Sequence, residues 1–246
     1  MTPSEPILDF RNVSYTINNR PILSGVDLSI APGETLAVLG RSGSGKTTLL
    51  RMANALVNPT GGEVRFKGKP TTDWDRIQLR RSIGYVIQDT GLFPHFTVER
   101  NIALVPRLQK WNAADVKTRV DSLLGLIGLA PDDYANRYPR ELSGGQRQRV
   151  GVARALAADP PLVLLDEPFG ALDPITRLDL QRQFVAIRDQ THKAAMFVTH
   201  DVREALAVGM RIALIKEGRI DTLGTPAEFL KAQSEEARAF LACLQS

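Results

Sequence analysis

The segment Gly40-Arg41-Ser42-Gly43-Ser44-Gly45-Lys46-Thr47 constrains the fold of this 246-residue chain more than any other feature. It follows a continuous apolar run, Thr35–Leu39, and leads directly into a helical pattern that starts at Lys46. The spacing matches the phosphate-loop pattern G-x-x-x-x-G-K-[ST], whose glycines let successive backbone N–H groups point inward at an anion. The positive end of the helix adds to this attraction. The sequence therefore predicts a strand, a phosphate-binding loop and a helix, in that order.

Two side chains of this loop have expected chemical roles. Lys46 is placed to neutralise the β- and γ-phosphates of a nucleotide, and the Thr47 hydroxyl to ligate Mg²⁺. The alternative is a Gly/Ser turn with a surface lysine, but a buried strand before the motif and a helix after it argue against that interpretation. The expected nucleotide site consists of Gly40, Arg41, Ser42, Gly43, Ser44, Gly45, Lys46, Thr47 and Thr48.

Short apolar runs alternate with helical patterns along the chain, which is typical of βαβ units and a parallel sheet. Apolar runs without alternation indicate strands that are covered on both faces. Strands are predicted at residues 35–39, 83–87, 162–165, 195–198 and 212–215. The helix after the phosphate loop is predicted at residues 46–57, with a buried face of Leu49, Leu50, Ala53, Leu56 and Val57.

Two regions depart from this α/β pattern. Residues 7–17 alternate between apolar and polar types, as do Val64 and Phe66 with their neighbours, which predicts an antiparallel edge beside the parallel core. Residues 90–159 lack strand patterns and contain an amphipathic helix at 113–127 and another that opens near Ser143. We therefore expect one domain over 1–246, with an α/β core from 1–89 and 160–246 and a helical subdomain at 90–159.

The end of the chain has its own helical pattern. The tripeptide Gly224-Thr225-Pro226 is expected to start a helical tail in which Phe229, Leu230 and Phe240 pack against the core.

Composition excludes several protein classes. With 43% apolar and 24% charged residues, the chain is neither collagen-like, disordered nor disulfide-rich. A net charge of +4 permits acidic partners such as a nucleotide, nucleic acid or an anionic membrane face, but it also describes an ordinary basic surface. A single cysteine, Cys243, fits a reducing compartment, and no secretion signal or membrane-spanning run is apparent. We expect a cytoplasmic protein.

The buried strand at 162–165 runs into two acids, Asp166 and Glu167. Ligands of parallel sheets gather beyond the carboxyl ends of the strands, so both acids are expected at the same edge as the phosphate loop. Asp166 is then placed to hold Mg²⁺ and Glu167 to polarise an attacking water molecule. Either acid alone could be a strand-end turn residue. The second carboxylate favours hydrolysis over transfer of the phosphoryl group to a metabolite.

The segment Leu142-Ser143-Gly144-Gly145-Gln146 precedes another amphipathic stretch. Ser143 can cap that helix, and the two glycines expose backbone N–H groups at its positive end. Taken alone, this is either a second anion site or simply a capped helix after a loop.

The order of these motifs resembles the ABC ATPase family over nearly the whole chain, from Phe10 to about Leu230. In that family the Leu-Ser-Gly-Gly-Gln signature of one subunit closes over ATP held by the phosphate loop of another. The resemblance implies that Ser143, Gly144, Gly145 and Gln146 act in trans across a head-to-tail homodimer, with ATP and Mg²⁺ as cofactors. It also implies integral membrane permease subunits as partners, indirectly an extracytoplasmic substrate-binding protein, and no nucleic acid.

The resemblance assigns further roles by position. Tyr15 matches the aromatic that stacks on adenine, Gln88 the glutamine that approaches Mg²⁺ and water, Asp173 the acidic loop at the dimer interface, and His200 the histidine that contacts the γ-phosphate. Without the resemblance, Tyr15 would be interpreted as an aromatic of an edge strand and Gln88 as a polar loop residue. Asp173 would be a helix cap before Pro174, and His200 a structural histidine. The implied catalytic residues are Glu167, His200, Gln88 and Lys46, and the implied metal ligands are Thr47, Gln88 and Asp166.

A finer resemblance lies at 83–111. The stretches Ile83-Gly84-Tyr85-Val86-Ile87-Gln88, Gly91-Leu92-Phe93-Pro94-His95 and Asn101-Ile102-Ala103-Leu104-Val105-Pro106, with Trp111, are similar to ATPase subunits of osmoprotectant importers. Those systems take up glycine betaine, choline or proline betaine, and the family docks its permease on this segment. Asp89 departs from the glutamine or other neutral residue often found there. The resemblance implies an import ATPase on the inner face of the cell membrane, with an osmoprotectant or another small solute as substrate.

Other classes fit the sequence less well. An ABC-type ATPase that acts on DNA or ribosomes needs a long coiled-coil insertion or two cassettes. The Asp166-Glu167 pair disfavours a small-molecule kinase, and a GTPase would carry an Asn-Lys-x-Asp motif, which does not occur. A non-enzymatic scaffold would not need the full set of catalytic residue types.

Overall fold

The computed structural model describes residues 5–88, 91–170 and 172–244. The strands are β1 Leu8–Ile17, β2 Arg20–Ile30, β3 Thr35–Leu39, β4 Gly61–Phe66, β5 Lys69–Pro70, β6 Ile83–Val86, β7 Leu162–Asp166, β8 Ala194–Thr199, β9 Arg211–Lys216 and β10 Arg219–Gly224. The helices are α1 Lys46–Ala53, α2 Arg76–Arg81, α3 Val98–Ile102, α4 Leu104–Leu108, α5 Ala113–Leu126, α6 Pro131–Tyr134, α7 Gly144–Leu156, α8 Pro174–Thr191, α9 Val202–Val208, α10 Pro226–Phe229 and α11 Glu235–Ala242. None of the helices in these ranges combines the length and apolar character needed to cross a bilayer.

Across the described ranges, the strands form two sheets. The larger one has the order β10-β9-β3-β8-β7-β6. Its strands are parallel from β9 to β6, and β10 pairs with β9 in an antiparallel hairpin. The smaller sheet is antiparallel, with the order β2-β1-β4-β5. The α/β fold with a parallel core is therefore confirmed.

The parallel register brings several strand ends to one edge of the larger sheet. Leu39 at the end of β3 is paired with Thr199 at the end of β8. Asp166 at the end of β7 is paired with Val198, and Val86 at the end of β6 with Leu165. The residues that follow these strands therefore leave the sheet side by side, as the sequence predicts.

Each face of the parallel sheet packs into its own hydrophobic core, because alternate side chains of a strand point to opposite faces. On one face Leu36, Val38, Leu164 and Met196 meet α1 and the antiparallel sheet. On the other face Leu39, Val86, Leu165 and Phe197 meet the helices α3, α5, α7, α8 and α9. The phosphate-loop helix α1 and the helical region thus lie on opposite faces of one sheet.

Several predicted boundaries are corrected. Helix α1 ends at Ala53 rather than at residue 57, because Ala55 has a left-handed backbone (φ 52°), and Leu56 is exposed instead of buried. Strand β6 ends at Val86, and Ile87 is exposed.

The predicted antiparallel region beside the parallel core is confirmed and forms a sheet of its own, although the pattern gave no sign of its strand β2. One prediction about the tail is wrong in part. In the tail, Phe229 is buried and Phe240 packs against the core, but Leu230 is exposed because it follows the single turn of α10.

Candidate functional site

The phosphate loop is a tightly packed turn between β3 and α1. Gly45 has a left-handed backbone (φ 102°), and a Cβ atom there would lie 2.7 Å from the Leu23 side chain and 2.9 Å from the Ile22 carbonyl oxygen. At Gly40 a Cβ would lie 2.5 Å from the Ile215 carbonyl oxygen. Glycine is therefore required at both positions, because β2 and β9 leave no room for a side chain. These strands fix the curvature that turns the loop's N–H groups inward.

Lys46, the first residue of α1, is buried with its ammonium group inside the loop. Its Nζ donates to the carbonyl oxygens of Gly40 at 2.7 Å and Arg41 at 2.9 Å. Burial lowers the pKa of Lys46, whereas the charges of Glu167 and Asp166 raise it. The ammonium group is thus held in the cradle where a phosphate would lie, with carboxylates beyond it.

Thr47 and Asp166 meet across the gap between α1 and β7. The Thr47 hydroxyl donates to Asp166 Oδ1 at 3.1 Å, and the Asp166 side chain is buried. Burial is the largest influence on Asp166 and raises its pKa, while the hydrogen bond from Thr47 and the charge of Arg51 lower it. A hydroxyl and a carboxylate at this separation suit Mg²⁺, which binds through one or two carboxylates together with substrate phosphates. The described residues contain no cluster of three or more His, Cys, Asp or Glu side chains that could hold a metal by itself.

Two of the predicted catalytic residues, Gln88 and His200, contact the carboxylate of Glu167. Its Oε2 accepts a hydrogen bond from Gln88 Nε2 at 3.3 Å and lies 3.4 Å from His200 Nδ1. The Glu167 backbone is left-handed (φ 45°), and its N–H donates to the Val198 carbonyl oxygen at 3.1 Å. A non-glycine residue in this conformation is strained and is held by its surroundings. The structure therefore brings together residues from the ends of β6, β7 and β8.

Tyr15 lies one strand away from the phosphate loop. On β1 it is paired with Leu23, the residue whose side chain closes against Gly45. Its half-buried side chain packs against the core below the loop. This position is compatible with an adenine ring beside the loop, and the assignment stays a prediction.

The signature residues lie at the start of α7, apart from this cluster. The Ser143 hydroxyl accepts from the Gln146 N–H at 3.2 Å, and the Gln146 side chain accepts from the Ser143 N–H at 2.9 Å. This reciprocal pair is a capping box. Ser143 and Gly144 are exposed, and within the described residues no hydrogen bond joins residues 143–146 to the phosphate loop.

Asp173 is the N-cap of α8. Its Oδ1 accepts from the Thr176 N–H at 3.0 Å, and hydrogen bonds from Thr176 lower the pKa of this carboxyl group. The loop before it contains Ala171, which lies outside the described residues, as does Asp89. The sequence predicts the capping role of Asp173 from its position before Pro174. Its role in the dimer interface stays a prediction.

A family comparison matches this arrangement. The model of the ABC transporter family matches residues 23–170, which is more than half of the chain. The chain belongs to the ABC transporter family. The matched range includes the phosphate loop, Gln88, the signature segment, Asp166 and Glu167. Tyr15, Asp173 and His200 lie outside it, and the folded chain brings His200 to Glu167 all the same.

Individual members of the ABC transporter family are similar over most of this chain. The choline transport ATP-binding protein OpuBA of Bacillus subtilis (strain 168) is 48% identical over 231 residues, which cover 94% of this chain and 60% of that protein. The osmoprotectant import ATP-binding protein OsmV of Salmonella typhimurium is 47% identical over 214 residues, which cover 87% of this chain and 56% of that protein. The chain thus spans less than two thirds of the length of these relatives.

A solved structure of an ABC cassette has the same fold. The dimeric post-hydrolysis state of the ATP-binding cassette MJ0796, bound to ADP and Pi, superimposes with a TM-score of 0.77 and 33% identity. The match covers 89% of this chain and 98% of that one.

Two features of this ABC site were not predicted. Tyr85 and Arg51 approach Asp166, and burial together with the Asp166 charge raises the pKa of Tyr85. At the other side of the loop, Arg41 Nε donates to Glu236 Oε1 of α11 at 2.5 Å. No local pattern indicates either contact, since Arg41 and Glu236 are 195 residues apart.

Proposed function

We propose that this chain binds and hydrolyses Mg·ATP as the nucleotide-binding subunit of an ABC importer for an osmoprotectant. The observation that carries the proposal is the cluster at the sheet edge. There Glu167 contacts Gln88 and His200, next to a phosphate loop that holds Lys46 and the Thr47–Asp166 pair.

Nucleotide binding follows from the loop. The backbone N–H groups of residues 42–48 surround the phosphates, and the Lys46 ammonium exchanges the carbonyl oxygens of Gly40 and Arg41 for phosphate oxygens. Tyr15 stacks on the adenine, which adds base affinity without touching the reacting bond. Binding thus uses groups from α1 and the antiparallel sheet.

Thr47, Asp166 and Gln88 would hold a magnesium ion. When bound, Mg²⁺ neutralises developing charge on the β- and γ-phosphates. Thr47 would offer its hydroxyl oxygen, Asp166 its carboxylate and Gln88, after the end of β6, its amide oxygen; in the structure Thr47 already donates to Asp166 and Gln88 to Glu167.

Hydrolysis relies on Glu167 as general base. Its carboxylate accepts a proton from the attacking water molecule, and the neighbouring Gln88 amide orients the carboxylate and the water molecule. His200 contacts the γ-phosphate, and its Nδ1 lies against the same carboxylate. Proton removal and stabilisation of the phosphate charge therefore occur within one hydrogen-bonded cluster.

A second copy of the chain completes each site. Residues 143–146 offer an exposed helix N-terminus, which favours an anion. In a head-to-tail homodimer this segment closes over ATP on the partner's phosphate loop, and Asp173 lies in the interface. The dimeric relative bound to ADP and Pi supports this arrangement.

A membrane permease docks on the helical side. A groove of about 300 Å³ is lined by residues that include Ile87, Phe93, Leu104, Val105 and Arg154. Ile87 and Phe93 have exposed side chains in this groove, and Ile87 directly precedes Gln88 in the sequence. A permease segment in this groove would therefore be linked to the catalytic cluster through Gln88. We assign the groove to the junction of a helical subdomain at 90–159 with a core formed by 1–89 and 160–246.

The substrate assignment is supported by the relatives. OpuBA is named for choline transport and OsmV for osmoprotectant import, and both cover most of this chain. We therefore propose a quaternary amine such as choline or glycine betaine. An extracytoplasmic binding protein delivers it to the permease, and this chain lies on the cytoplasmic face of the membrane.

Uptake by cells tests this assignment. Cells that express the native chain should accumulate labelled choline or glycine betaine, and cells in which Glu167→Gln replaces it should not. Labelled sulfate serves as the control solute and should enter both strains equally. Loss of sulfate uptake with unchanged choline and glycine betaine uptake would contradict the substrate assignment.

A further inference from the structure

The phosphate loop is backed by strands at its two ends but not in its middle. Gly40 closes against β9 and Gly45 against β2, where a Cβ atom would collide with the neighbouring strand. A Cβ atom on Gly43 would instead meet no described atom within 4 Å beyond the adjoining residues of the chain. The strands that fix both ends of the loop therefore leave residues 41–43 without a backing of this kind.

Arg41 lies at the start of this unbacked stretch, and its backbone organises the loop. Its carbonyl oxygen accepts hydrogen bonds from Lys46 Nζ at 2.9 Å and from the Ser44 N–H at 3.2 Å. The position of this one carbonyl group therefore helps to decide where the ammonium group rests and how the loop turns. A contact that fixes Arg41 acts on the groups that would receive a phosphate.

The side chain of Arg41 leaves the loop and meets the C-terminal helix α11. Its Nε donates to Glu236 Oε1 at 2.5 Å, and Lys216 Nζ lies 3.9 Å from the other carboxylate oxygen. The Arg41 side chain is 68% exposed, whereas that of Glu236 is 7% exposed. A buried carboxylate is costly unless it is paired. Glu236 is thus the buried partner of this ion pair, and it holds the more exposed arginine.

Helix α11 is itself docked along its whole length. At its start the Ser234 hydroxyl lies 3.2 Å from the Thr222 hydroxyl of β10, and in its middle Ala237 is fully buried. At its end the Cys243 carbonyl oxygen accepts from Arg203 Nη2 at 2.9 Å. Arg203 belongs to α9, the helix that follows His200. The helix therefore connects the phosphate loop with the element behind the histidine of the catalytic cluster.

We propose that Glu236 is a positioning residue for nucleotide binding, in which α11 braces the unbacked side of the phosphate loop through Arg41. This inference rests on the proposed nucleotide site and adds to it a helix that lies beyond the matched family range, residues 23–170. Nucleotide affinity then depends on the docking of α11. Because such coupling is reciprocal, a nucleotide that orders the loop must stabilise the docked helix by the same factor.

Binding of ADP tests the effect of α11 on the loop. ADP is the probe because it occupies the loop and leaves no γ-phosphate to hydrolyse. Glu236→Ala should weaken ADP binding about fivefold, at the lower end of couplings between two sites. In steady-state ATP hydrolysis the Michaelis constant should rise by a similar factor while kcat is retained, because Glu236 contacts no reacting group. Glu236→Gln, which keeps the shape of the side chain and one acceptor, guards against a loss of folding and should lie between Glu236→Ala and the native chain.

Glu235→Ala is the matched control. Glu235 precedes Glu236 on the same helix, its side chain is 90% exposed, and its Oε2 lies 3.7 Å from Lys216 Nζ. The control removes the same charge and a contact with the same lysine, but no hydrogen bond to the phosphate loop. It should bind ADP like the native chain, and circular dichroism verifies that each variant is folded.

Hydrogen exchange of α11 measures the reciprocal effect. Saturating ADP should slow amide exchange of residues 235–242 about fivefold in the native chain and in Glu235→Ala, but not in Glu236→Ala. A residue that only stabilised α11 would change this exchange equally with and without ADP.

The outcomes separate the brace from the nucleotide site itself. If the native chain binds neither ADP nor ATP, the proposed function fails. If the native chain binds ADP but the folded Glu236 variants bind it as tightly as Glu235→Ala, the positioning role is overturned while the nucleotide site stands. The same conclusion follows if ADP leaves the exchange of α11 unchanged in the native chain.

Discussion

The phosphate loop and the signature segment both present a helix N-terminus preceded by glycines, yet they are built differently. The loop is enclosed: Lys46 is buried and donates to two loop carbonyls, and Thr47 reaches Asp166. At the signature segment Ser143 and Gly144 are exposed, and the cap consists of reciprocal hydrogen bonds between Ser143 and Gln146.

This difference indicates which half of the site a single chain can complete. The loop is backed by β2 and β9, which fix its curvature at Gly45 and Gly40, and its lysine donates to two loop carbonyl oxygens. The signature segment has a cap of its own, and among the described residues no hydrogen bond joins it to the phosphate loop. One region thus holds its binding groups within the chain, and the other presents an exposed helix N-terminus, which under the proposed dimer would close over the site of a second chain.

The largest expected change in ATP hydrolysis comes from Glu167, which lies beside the enclosed phosphate loop. Glu167→Gln should keep ATP affinity but reduce hydrolysis by roughly 10² to 10⁴, because it removes a general base. Steady-state phosphate release and equilibrium nucleotide binding measure the two quantities.

Glu217→Gln is the matched control for this change. Glu217 is also a glutamate with a left-handed backbone (φ 49°, against 45° for Glu167), and it is exposed beside the loop. It should hydrolyse ATP normally. Near-normal turnover of Glu167→Gln would remove Glu167 from the base role.

A smaller effect is expected at the edge of the enclosed half. Tyr15→Ala should raise the Michaelis constant for ATP by an amount equivalent to about 1–3 kcal/mol, the size of a base–aromatic stack, with turnover largely retained. Tyr15→Phe keeps the ring and should behave like the native chain. Unchanged nucleotide binding by Tyr15→Ala would refute the adenine assignment.

The smallest effect distinguishes two roles of Asp173, as the cap of α8 and as a charged residue in the dimer interface. Asp173→Ala removes the cap of α8 and should lower the free energy of unfolding, seen as a lower midpoint of urea unfolding. Asp173→Asn keeps a capping oxygen and should unfold like the native chain in urea, but it should hydrolyse ATP more slowly if the charge acts in the interface. If the native chain and Asp173→Asn hydrolyse ATP at the same rate, the charge of Asp173 has no role in the interface and the residue acts only as the cap of α8.

The sequence predicts those parts of the site that depend on local chemistry. The phosphate loop follows from glycines between a buried strand and a helix, and the Ser143 cap from its position just before an amphipathic stretch. The strand-edge argument also predicts that Asp166 and Glu167 lie beside the loop, whereas Gln88 and His200, which meet Glu167 there, were assigned only by resemblance to the family. Such features need only short-range patterns and the topology of a parallel sheet.

The remaining features depend on contacts between distant segments. The Arg41–Glu236 pair, the approach of Tyr85 to Asp166 and the closure of Leu23 against Gly45 join separate elements. Helix α1 is shorter than its apolar pattern suggests because Ala55 adopts a left-handed conformation. Periodicity contains no signal for backbone reversals of this kind.

Mixing two inactive variants tests the division between the two halves most directly. Lys46→Ala disables the loop, and Ser143→Arg should block the lid while ATP still binds to its own loop. A heterodimer then has one site with both defects and one with neither, so mixing should restore part of the hydrolysis that each variant lacks alone. Recovery that rises with protein concentration is the predicted result. No recovery when heterodimers are shown to form, or full native activity in a demonstrably monomeric chain, would contradict sites shared between two chains.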